Sequence, residues 1–359
     1  MAGNYEQLLA SPAADPVAES ERSGSVATDP RFPLLRSDIR DAGLLDSRRR
    51  HYLIKISVNL ALLTACWTAF AALGPSWWQL ALAPALAFCF VQIGLVGHDI
   101  GHRQLTRDRR TMDVLGYLHW NLLLGASFDW WVNHHDRHHS EPNHLDRDPD
   151  IVRRKAIFAA EQAARPMSAA RRVIIRYQDK IFFPMAALES LGLRVLSIRA
   201  IASGSVRRPW TEGALLGLHL AGYLTAVFLV LRPGQAVAFI VVHHLVTGLY
   251  SGSIFAPNHK GMPVRSDAER LDWMTRQVVT ARNIRGGRIV DYLYGGLNYQ
   301  IEHHLFPSMP QPNLRLARPV VRAHCRAAGL DYYETSVVRA YAEIRTHLWR
   351  VSRQARARD

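Results

Sequence analysis

The stretch Gly296–Pro307, Gly-Leu-Asn-Tyr-Gln-Ile-Glu-His-His-Leu-Phe-Pro, has the most informative spacing in the chain. Gln300, His303 and His304 stand at positions i, i+3 and i+4, which lie on one face of an α-helix. Two imidazoles and an amide would therefore converge on one point. This convergence indicates that the stretch supplies ligands to a bound metal ion.

Two earlier stretches have the same character. The imidazoles of His98-Asp-Ile-Gly-His102 are one helical turn apart, and those of His135-Asp-Arg-His138-His139 stand at i, i+3 and i+4. Neutral imidazole binds Fe, Zn, Cu and Ni well, so affinity alone does not select the metal. The seven imidazoles of the three clusters exceed what one tetrahedral zinc site needs. The excess favours two metal ions side by side, in one centre closed by the fold.

The composition favours a membrane protein. The chain has 359 residues, 48% of them hydrophobic, and a net charge of +14. The hydrophobic residues concentrate in a few runs and Arg fills much of the remainder, as expected for charge flanking membrane helices. No basic-aromatic platform or nucleic-acid motif accompanies the charge, which argues against a nucleic-acid partner. The three cysteines, Cys66, Cys89 and Cys325, form no Cys-x-x-Cys motif, so neither a disulfide framework nor a thiolate metal site is expected.

Four apolar runs have the length that crosses the ~30 Å hydrocarbon core of a bilayer. They are Leu53–Leu73, Trp77–Gly97, Gly213–Leu231 and Gln235–Ala256. Only a short segment separates the first run from the second and the third run from the fourth. Each of these two pairs is therefore expected to form a helical hairpin. The predicted fold is an all-α integral membrane protein, with four transmembrane helices as two hairpins and a cytoplasmic helical cap that holds the metal site.

The distribution of Arg predicts the orientation and the domain limits. Nearly all Arg residues lie outside the two hairpin tips, so the positive-inside rule puts both termini and the long middle segment in the cytoplasm. All three histidine clusters would then lie on one membrane face. We expect a disordered tail over 1–45, a membrane and catalytic domain over 46–312, and a basic helical cap over 313–359.

With these three clusters the sequence resembles the membrane fatty acid desaturases. Their three histidine boxes read H-x(3,4)-H, H-x(2,3)-HH and (H/Q)-x(2)-HH, and the three clusters fit in order and spacing. The similarity extends to Trp130-Trp131 before the second box and to Asn143 and Asp148-Pro149-Asp150 after it. The Gln-Ile-Glu-His-His form of the third box is typical of front-end and related bacterial acyl desaturases. The resemblance covers roughly residues 94–326.

The resemblance implies a centre of two Fe ions that activates O2 and removes two hydrogens from an acyl chain. It also implies a multi-pass protein of the bacterial inner membrane. The family commonly has a further ligand after the fourth crossing, where Asn258-His259 lies. The implied iron ligands are His98, His102, His135, His138, His139, His259, His303 and His304.

Several other polar residues are expected to support the ligands rather than bind metal. Gln300 stands where some members have His, so it is expected to support a ligand imidazole or to bind the metal through water. Asn258, which precedes His259, is expected to support a ligand as well. His134 precedes the second box and fits its register less well than His135. Asp148 and Asp150 are expected either to hold a ligand imidazole through its second nitrogen or to cap a helix. His243 and His244 lie in the fourth apolar run, and their roles stay open.

The resemblance also implies partners. Many front-end desaturases contain a fused cytochrome-b5-like domain with a His-Pro-Gly-Gly motif, which does not occur in these 359 residues. A separate electron donor is therefore expected: a ferredoxin, a cytochrome or a flavoprotein reductase. The Arg-rich face is expected either to steer such an acidic partner or to anchor to anionic lipid. The acyl chain would be carried by CoA, a carrier protein or a lipid.

Two rival functions remain at the level of sequence. A di-iron hydroxylase of a lipid or other hydrocarbon would use the same boxes, and product mass separates it from a desaturase. A non-catalytic membrane protein that carries or senses metal would instead have ligands along a path through the membrane. The three clusters gather at one predicted face, which favours catalysis.

Overall fold

The computed structural model describes residues 31–152, 156–164 and 167–357. Within these ranges the chain is mostly helical, with one π-helix, Tyr117–Leu124, and one 3-10 helix, Ala160–Ala164. Its strands are Asn283–Arg285 and Glu334–Ser336. Its α-helices are Arg31–Asp41, Arg49–Leu73, Gln79–Gly101, Arg109–Gly116, Phe128–Ser140, Pro149–Val152, Ala169–Arg176, Gln178–Ala186, Glu189–Ala202, Pro209–Val230, Pro233–His259, Trp273–Val279, Arg288–Leu293, Gln300–Leu305, Gln311–Ala327 and Val337–Arg356.

Four helices of the described residues are long and apolar enough to cross a membrane: Arg49–Leu73, Gln79–Gly101, Pro209–Val230 and Pro233–His259. They coincide with the four predicted runs to within a few residues at each end. The second and fourth helices extend past the apolar runs into polar sequence, so that His98 and His259 lie within their last turns. The helical class and the four candidate spans are therefore confirmed.

The N-terminal helix Arg31–Asp41 corrects one prediction. Its side chains Leu35 and Ile39 are fully buried and pack with Leu314 and Val321 in a single apolar cluster. The scarcity of large apolar residues suggested a tail that is disordered up to residue 45. This is wrong for the helix, because its two apolar residues find partners in the C-terminal segment. Residues 1–30 of that predicted tail lie outside the described residues.

The described chain forms two compact units, each assembled from separate stretches. The first unit contains Ser47–Asn133 and Ala186–Ser251. The second contains 31–46, the described parts of His134–Met185, and 252–357. The segment after residue 312, which the sequence suggested as a cap of its own, belongs to this second unit together with the residues of the second and third boxes.

The first unit pairs the helices Arg49–Leu73 and Gln79–Gly101. Between them, the amide of Asn59 donates to the Gln92 carbonyl over 3.1 Å. The amide of Gln79 donates to the Phe70 carbonyl over 2.7 Å. Because an unpaired amide in an apolar interior costs free energy, such bonds let polar side chains occur in helices of this kind.

Two buried tryptophans pack onto the glycines around the first box. Trp120 and Trp131 stack with their ring centroids 4.5 Å apart. A Cβ atom on Gly97 would lie 2.6 Å from the Trp120 ring, and one on Gly101 would lie 2.5 Å from the Trp131 ring. The two glycines are one helical turn apart, so they leave one continuous groove for the stacked pair.

We expect Gly101→Ala to destabilise the protein by about 1–3 kcal/mol, because the added methyl group overpacks against the Trp131 ring. The measurement is thermal unfolding in detergent. Gly192→Ala is the matched control, since Gly192 is also helical and a Cβ there would meet nothing within 4 Å. Equal unfolding temperatures for the two variants would contradict the close packing.

Polar side chains inside the first unit are bonded to neighbours within that unit. His243, whose role the sequence left open, lies with its Nδ1 2.9 Å from the Tyr223 hydroxyl. His244 Nδ1 lies 3.0 Å from the Ser190 hydroxyl. These contacts give both histidines hydrogen-bond partners that are not histidine-box residues, and neither belongs to a cluster of metal-ligating side chains among the residues that the structure describes.

A short parallel sheet organises the second unit near the third box. Asn283 pairs with Glu334 and Arg285 with Ser336. The strand Asn283–Arg285 precedes the third box, and its partner precedes the C-terminal helix. The pairing therefore ties the end of the chain to the sequence that carries Gln300, His303 and His304.

Candidate metal centre

The third box forms a helix of only six residues, Gln300–Leu305, and all six are buried. Glu302 holds this helix in place through hydrogen bonds to side chains of other segments. Its carboxylate accepts hydrogen bonds from Asn283 Nδ2 at 2.7 Å and from the Tyr332 hydroxyl at 2.6 Å. Burial raises the pKa of Glu302 to about 7, although the bonds from Tyr332 and Asn283 oppose the increase. The acidic residue of Gln-Ile-Glu-His-His is thus a structural anchor for the two histidines that follow it.

Consecutive histidines on a helix point about 100° apart. In the second box His138 and His139 follow one another on the helix Phe128–Ser140, and in the third box His303 and His304 do the same. The two rings of each pair therefore face different places. One His-His pair can supply one ligand to each of two adjacent sites.

The second unit contains two groups of imidazoles that realise this geometry. In the first triad, His135, His139 and His303, the Nε2 atom of His139 lies 3.1 Å from the Nε2 atoms of both other rings. In the second triad, His138 Nε2 lies 3.2 Å from the Nε2 atom of His259. His304 completes that triad, and the ligand atoms within each triad lie within 4.8 Å of one another.

The two triads adjoin. The rings of His139 and His304 stack with their centroids 4.2 Å apart, although they belong to different triads. The rings of His138 and His139 are 5.9 Å apart. Each His-His pair therefore sends one ring to each triad, as the helix geometry requires.

Every ring of the second triad has its other nitrogen held by an oxygen. His138 Nδ1 lies 3.1 Å from both carboxylate oxygens of Asp148. His259 Nδ1 lies 3.0 Å from the Thr280 carbonyl, and His304 Nδ1 lies 2.9 Å from the Gln277 side-chain oxygen. These acceptors assign the proton to Nδ1 and leave the Nε2 lone pair directed at the centre of the triad, which is the usual arrangement of metal-bound histidine.

The carboxylate of Asp148 is the charged member of this shell. Burial disfavours the imidazolium form of His138, but the adjacent Asp148 carboxylate outweighs this effect and raises the pKa of His138. Asp148 itself is fully buried and also accepts from the backbone N–H groups of Asn143 and Asp150, at 2.7 and 2.8 Å. Three donors thus hold the Asp148 carboxylate, and one of them is the His138 ring.

The other residues expected to support the ligands contact the triads or their neighbours. His134 Nε2 lies 3.0 Å from Asp150, which gives His134 a carboxylate partner. Gln300 Nε2 lies 2.9 Å from His259 Nε2, and its oxygen accepts from Asn258 over 3.0 Å. Gln300 is therefore within hydrogen-bond distance of one ring of the second triad.

The first box lies in the first unit. The rings of His98 and His102 meet edge to face, with centroids 4.7 Å apart, and the Trp131 ring lies 5.5 Å from His98. His98 Nδ1 is 3.3 Å from Asp99, and Lys55 lies 3.5 Å from the same carboxylate. The structure thus brings the two histidines of this box together, as the spacing of one helical turn predicts.

Comparison with known proteins identifies the family. A sequence model described as fatty acid desaturase matches residues 75–336, well over half of the chain and all three boxes. The chain belongs to the fatty acid desaturase family. This confirms the resemblance that the box spacings indicated.

Characterised relatives of this desaturase-family chain are named as acyl desaturases. It is 29% identical over 329 residues to an acyl-lipid (9-3)-desaturase of Physcomitrium patens, covering 87% of this chain and 61% of the relative. It is 27% identical to a Delta(6)-fatty-acid desaturase of Caenorhabditis elegans, covering 87% and 72%. It is 26% identical to a Delta(8)-fatty-acid desaturase of Helianthus annuus, covering 84% and 69%. The chain thus spans less than two thirds of the first relative.

Two supporting residues of this desaturase-family chain were missed at the level of sequence. Gln277 accepts from His304, and its amide donates to the His139 carbonyl over 2.9 Å, so it contacts both triads. Thr280 offers His259 only a backbone carbonyl. In the sequence, Gln277 stands out only as a polar residue between the apolar residues Met274 and Val278, which are buried. That position does not distinguish a partner of a histidine ring from any other buried amide.

The donor set fits a pair of transition-metal ions. The six side chains of the triads all offer imidazole nitrogens, which suit iron, zinc and copper but not magnesium or calcium. In the second triad, the lone pairs of His138 and His259 face each other at 3.2 Å, a geometry that a cation between them would stabilise. In the second triad, each ring also has an oxygen partner at Nδ1 that fixes its orientation.

Proposed function

We propose that this chain is an O2-dependent fatty acyl desaturase whose histidine boxes bind two iron ions. The observation that carries the proposal is the pair of adjoining imidazole triads. Each of the two His-His pairs contributes one ring to each triad. Family membership supports acyl desaturation, since the relatives matched over 84–87% of this chain are named for that activity. The same boxes in a hydroxylase would add oxygen to the product, so the reaction is tested by product mass.

The proposal assigns each triad to one iron ion. His135, His139 and His303 would hold one ion, and His138, His259 and His304 the other. The match of the first box to the family's box pattern assigns His98 and His102 to the same proposed centre. Asp148, Thr280 and Gln277 would keep three of the rings in the ligating orientation.

Iron bound by these residues would supply the reductive activation of O2 that cleavage of two unactivated C–H bonds requires. In the balanced reaction, one CH2–CH2 unit, O2, two electrons and two protons give one CH=CH unit and two waters. The protein's share is to hold the ligand rings rigidly, to exclude bulk water around the nearly buried triads and to position the acyl chain. Third-box residues are fully buried or nearly so, which is consistent with a site closed to bulk solvent.

We further propose the topology that the charge distribution predicts. The four long apolar helices would form two hairpins in a bacterial inner membrane, with both termini and a helical cap on the cytoplasmic side. The positive-inside distribution of Arg supports this orientation. The acyl chain would enter from the bilayer, bound to CoA, a carrier protein or a lipid, and a ferredoxin, cytochrome or flavoprotein reductase would supply electrons one at a time.

Expression in a desaturase-deficient host together with an electron donor tests the reaction. We expect a new fatty acid two mass units lighter than its precursor, with the position of the double bond mapped by mass spectrometry. The His303→Ala/His304→Ala double variant, expressed to the same level, is the control and should give no product. A product heavier by one oxygen atom would instead identify a hydroxylase.

A further inference from the structure

A shallow basic pocket lies on the surface of the second unit, close to the third box. It has a volume of about 300 Å³ and is lined by Arg322, Arg326, Leu330 and Tyr332. Arg322 and Arg326 are one turn apart on the helix Gln311–Ala327, so their side chains share a face, and both are exposed. Neither arginine belongs to the metal centre, and the histidine boxes do not account for the pocket.

The charge of this basic pocket is only partly neutralised. Glu334 is the nearby carboxylate, and Arg318 binds it closely, with Nε at 2.7 Å and a terminal nitrogen at 2.8 Å. Arg322 lies farther from the same carboxylate, at 3.7 Å. Among the described residues, no carboxylate lies within 4.0 Å of Arg326. The two exposed guanidinium groups therefore present an excess of positive charge.

The wall of the pocket connects with the residues that carry the metal ligands. The Tyr332 hydroxyl donates to the buried Glu302 carboxylate over 2.6 Å. Glu302 immediately precedes His303, and His304 follows. A molecule bound in the basic pocket would thus be separated from the ligand-bearing helix by one side chain and one hydrogen bond.

We propose that the basic pocket is the docking site of an acidic one-electron carrier that reduces the metal centre. The inference rests on the proposed function and names the partner surface of that same site. Surplus positive charge attracts an acidic surface and accelerates its association. Because electron transfer slows steeply with distance, a donor must dock over residues near the ligands, and Tyr332 and Glu302 provide that proximity. Each docked carrier loses one electron, so two successive carriers supply the two electrons consumed per double bond.

The test uses the full-length, iron-loaded protein in lipid nanodiscs with an acidic plant-type [2Fe–2S] ferredoxin, kept reduced by its reductase. Arg322→Glu/Arg326→Glu should raise the KM for ferredoxin by about tenfold or more. The rate with wild-type protein should fall as salt is added, and the variant should lose most of this dependence. Single turnover after chemical reduction with dithionite should be unchanged, because it bypasses docking.

Two controls separate docking from general charge or folding effects. Arg345→Glu/Arg350→Glu makes the same change in net charge at two exposed arginines of the C-terminal helix, and its ferredoxin KM should stay near the wild-type value. Arg322→Gln/Arg326→Gln removes the charge without reversing it and should give an intermediate KM. Bound iron and unfolding temperature should match the wild type in all three variants.

The outcomes distinguish this inference from the proposed function. An unchanged ferredoxin KM in Arg322→Glu/Arg326→Glu, or a wild-type rate that is insensitive to salt, overturns the docking site. A raised KM for the acyl substrate with an unchanged KM for ferredoxin also overturns it and assigns the pocket to an anionic acyl carrier. A wild-type protein that binds iron but forms no double bond even after dithionite reduction contradicts the proposed function itself.

Discussion

His304→Ala should abolish turnover and lower the bound iron from about two ions per chain to about one. His304 belongs to the triad with His138 and His259, and its removal leaves that triad with two imidazoles. The other triad keeps His135, His139 and His303, so one ion should remain. Iron is measured by elemental analysis of purified protein and activity by product formation. The variant should lose half of the metal and all of the activity, because the proposed centre would need both ions for turnover.

The complementary variant is His303→Ala, which removes a ligand from the other triad. It should also lose about one ion, and the double variant should lose both. His347→Ala is the control: this half-buried ring lies outside the triads and donates to the Phe158 carbonyl over 2.8 Å, so iron and activity should be retained. Full iron content and normal turnover in the double variant would reject the ligand assignment.

Asp148→Asn should weaken iron binding by about 10–100-fold, the usual effect of changing a group behind a metal-bound histidine. Asp148 accepts the Nδ1 proton of His138 and two backbone N–H groups. An asparagine keeps the shape but turns one acceptor into a donor facing His138, so the ring loses the partner that directs Nε2 at the triad. Affinity is measured by competition with a chelator, and activity should fall with it.

The neighbouring carboxylate provides a matched comparison for Asp148→Asn. The Asp150 side chain is 28% exposed and lies 3.7 Å from His138 Nδ1, while its closer contact is with His134 at 3.0 Å. Asp150→Asn should therefore change iron affinity much less than Asp148→Asn. Equal affinities in the two variants would show that Asp148 does not orient His138, and the supporting shell would then need reassignment.

The composition of the N-terminal segment illustrates where local sequence misleads. Few large apolar residues occur before residue 45, which suggested a disordered tail. Leu35 and Ile39 nevertheless form the buried face of the helix Arg31–Asp41, because the helix Gln311–Ala327 supplies the complementary apolar surface. A short amphipathic helix is stabilised mainly by its packing partner, and this partner lies almost 300 residues away.

The sequence by itself determined the features that depend on local spacing. Imidazoles at i, i+3 and i+4 share a helical face wherever the helix lies, and an apolar run of about 20 residues has the length of a membrane span in any fold. These two periodicities were sufficient for the histidine boxes, the four long helices and the family.

Only the tertiary structure decided which ring belongs to which triad and which atoms hold it. Adjacent histidines diverge by about 100°, so their division between two sites depends on where the partner helices lie. The Nδ1 acceptors are an aspartate ten residues from His138 and, for His259 and His304, a carbonyl at Thr280 and an amide at Gln277. Such contacts form only when distant segments pack together. Every residue type has a backbone carbonyl, so the sequence does not show which residue accepts a hydrogen bond through it.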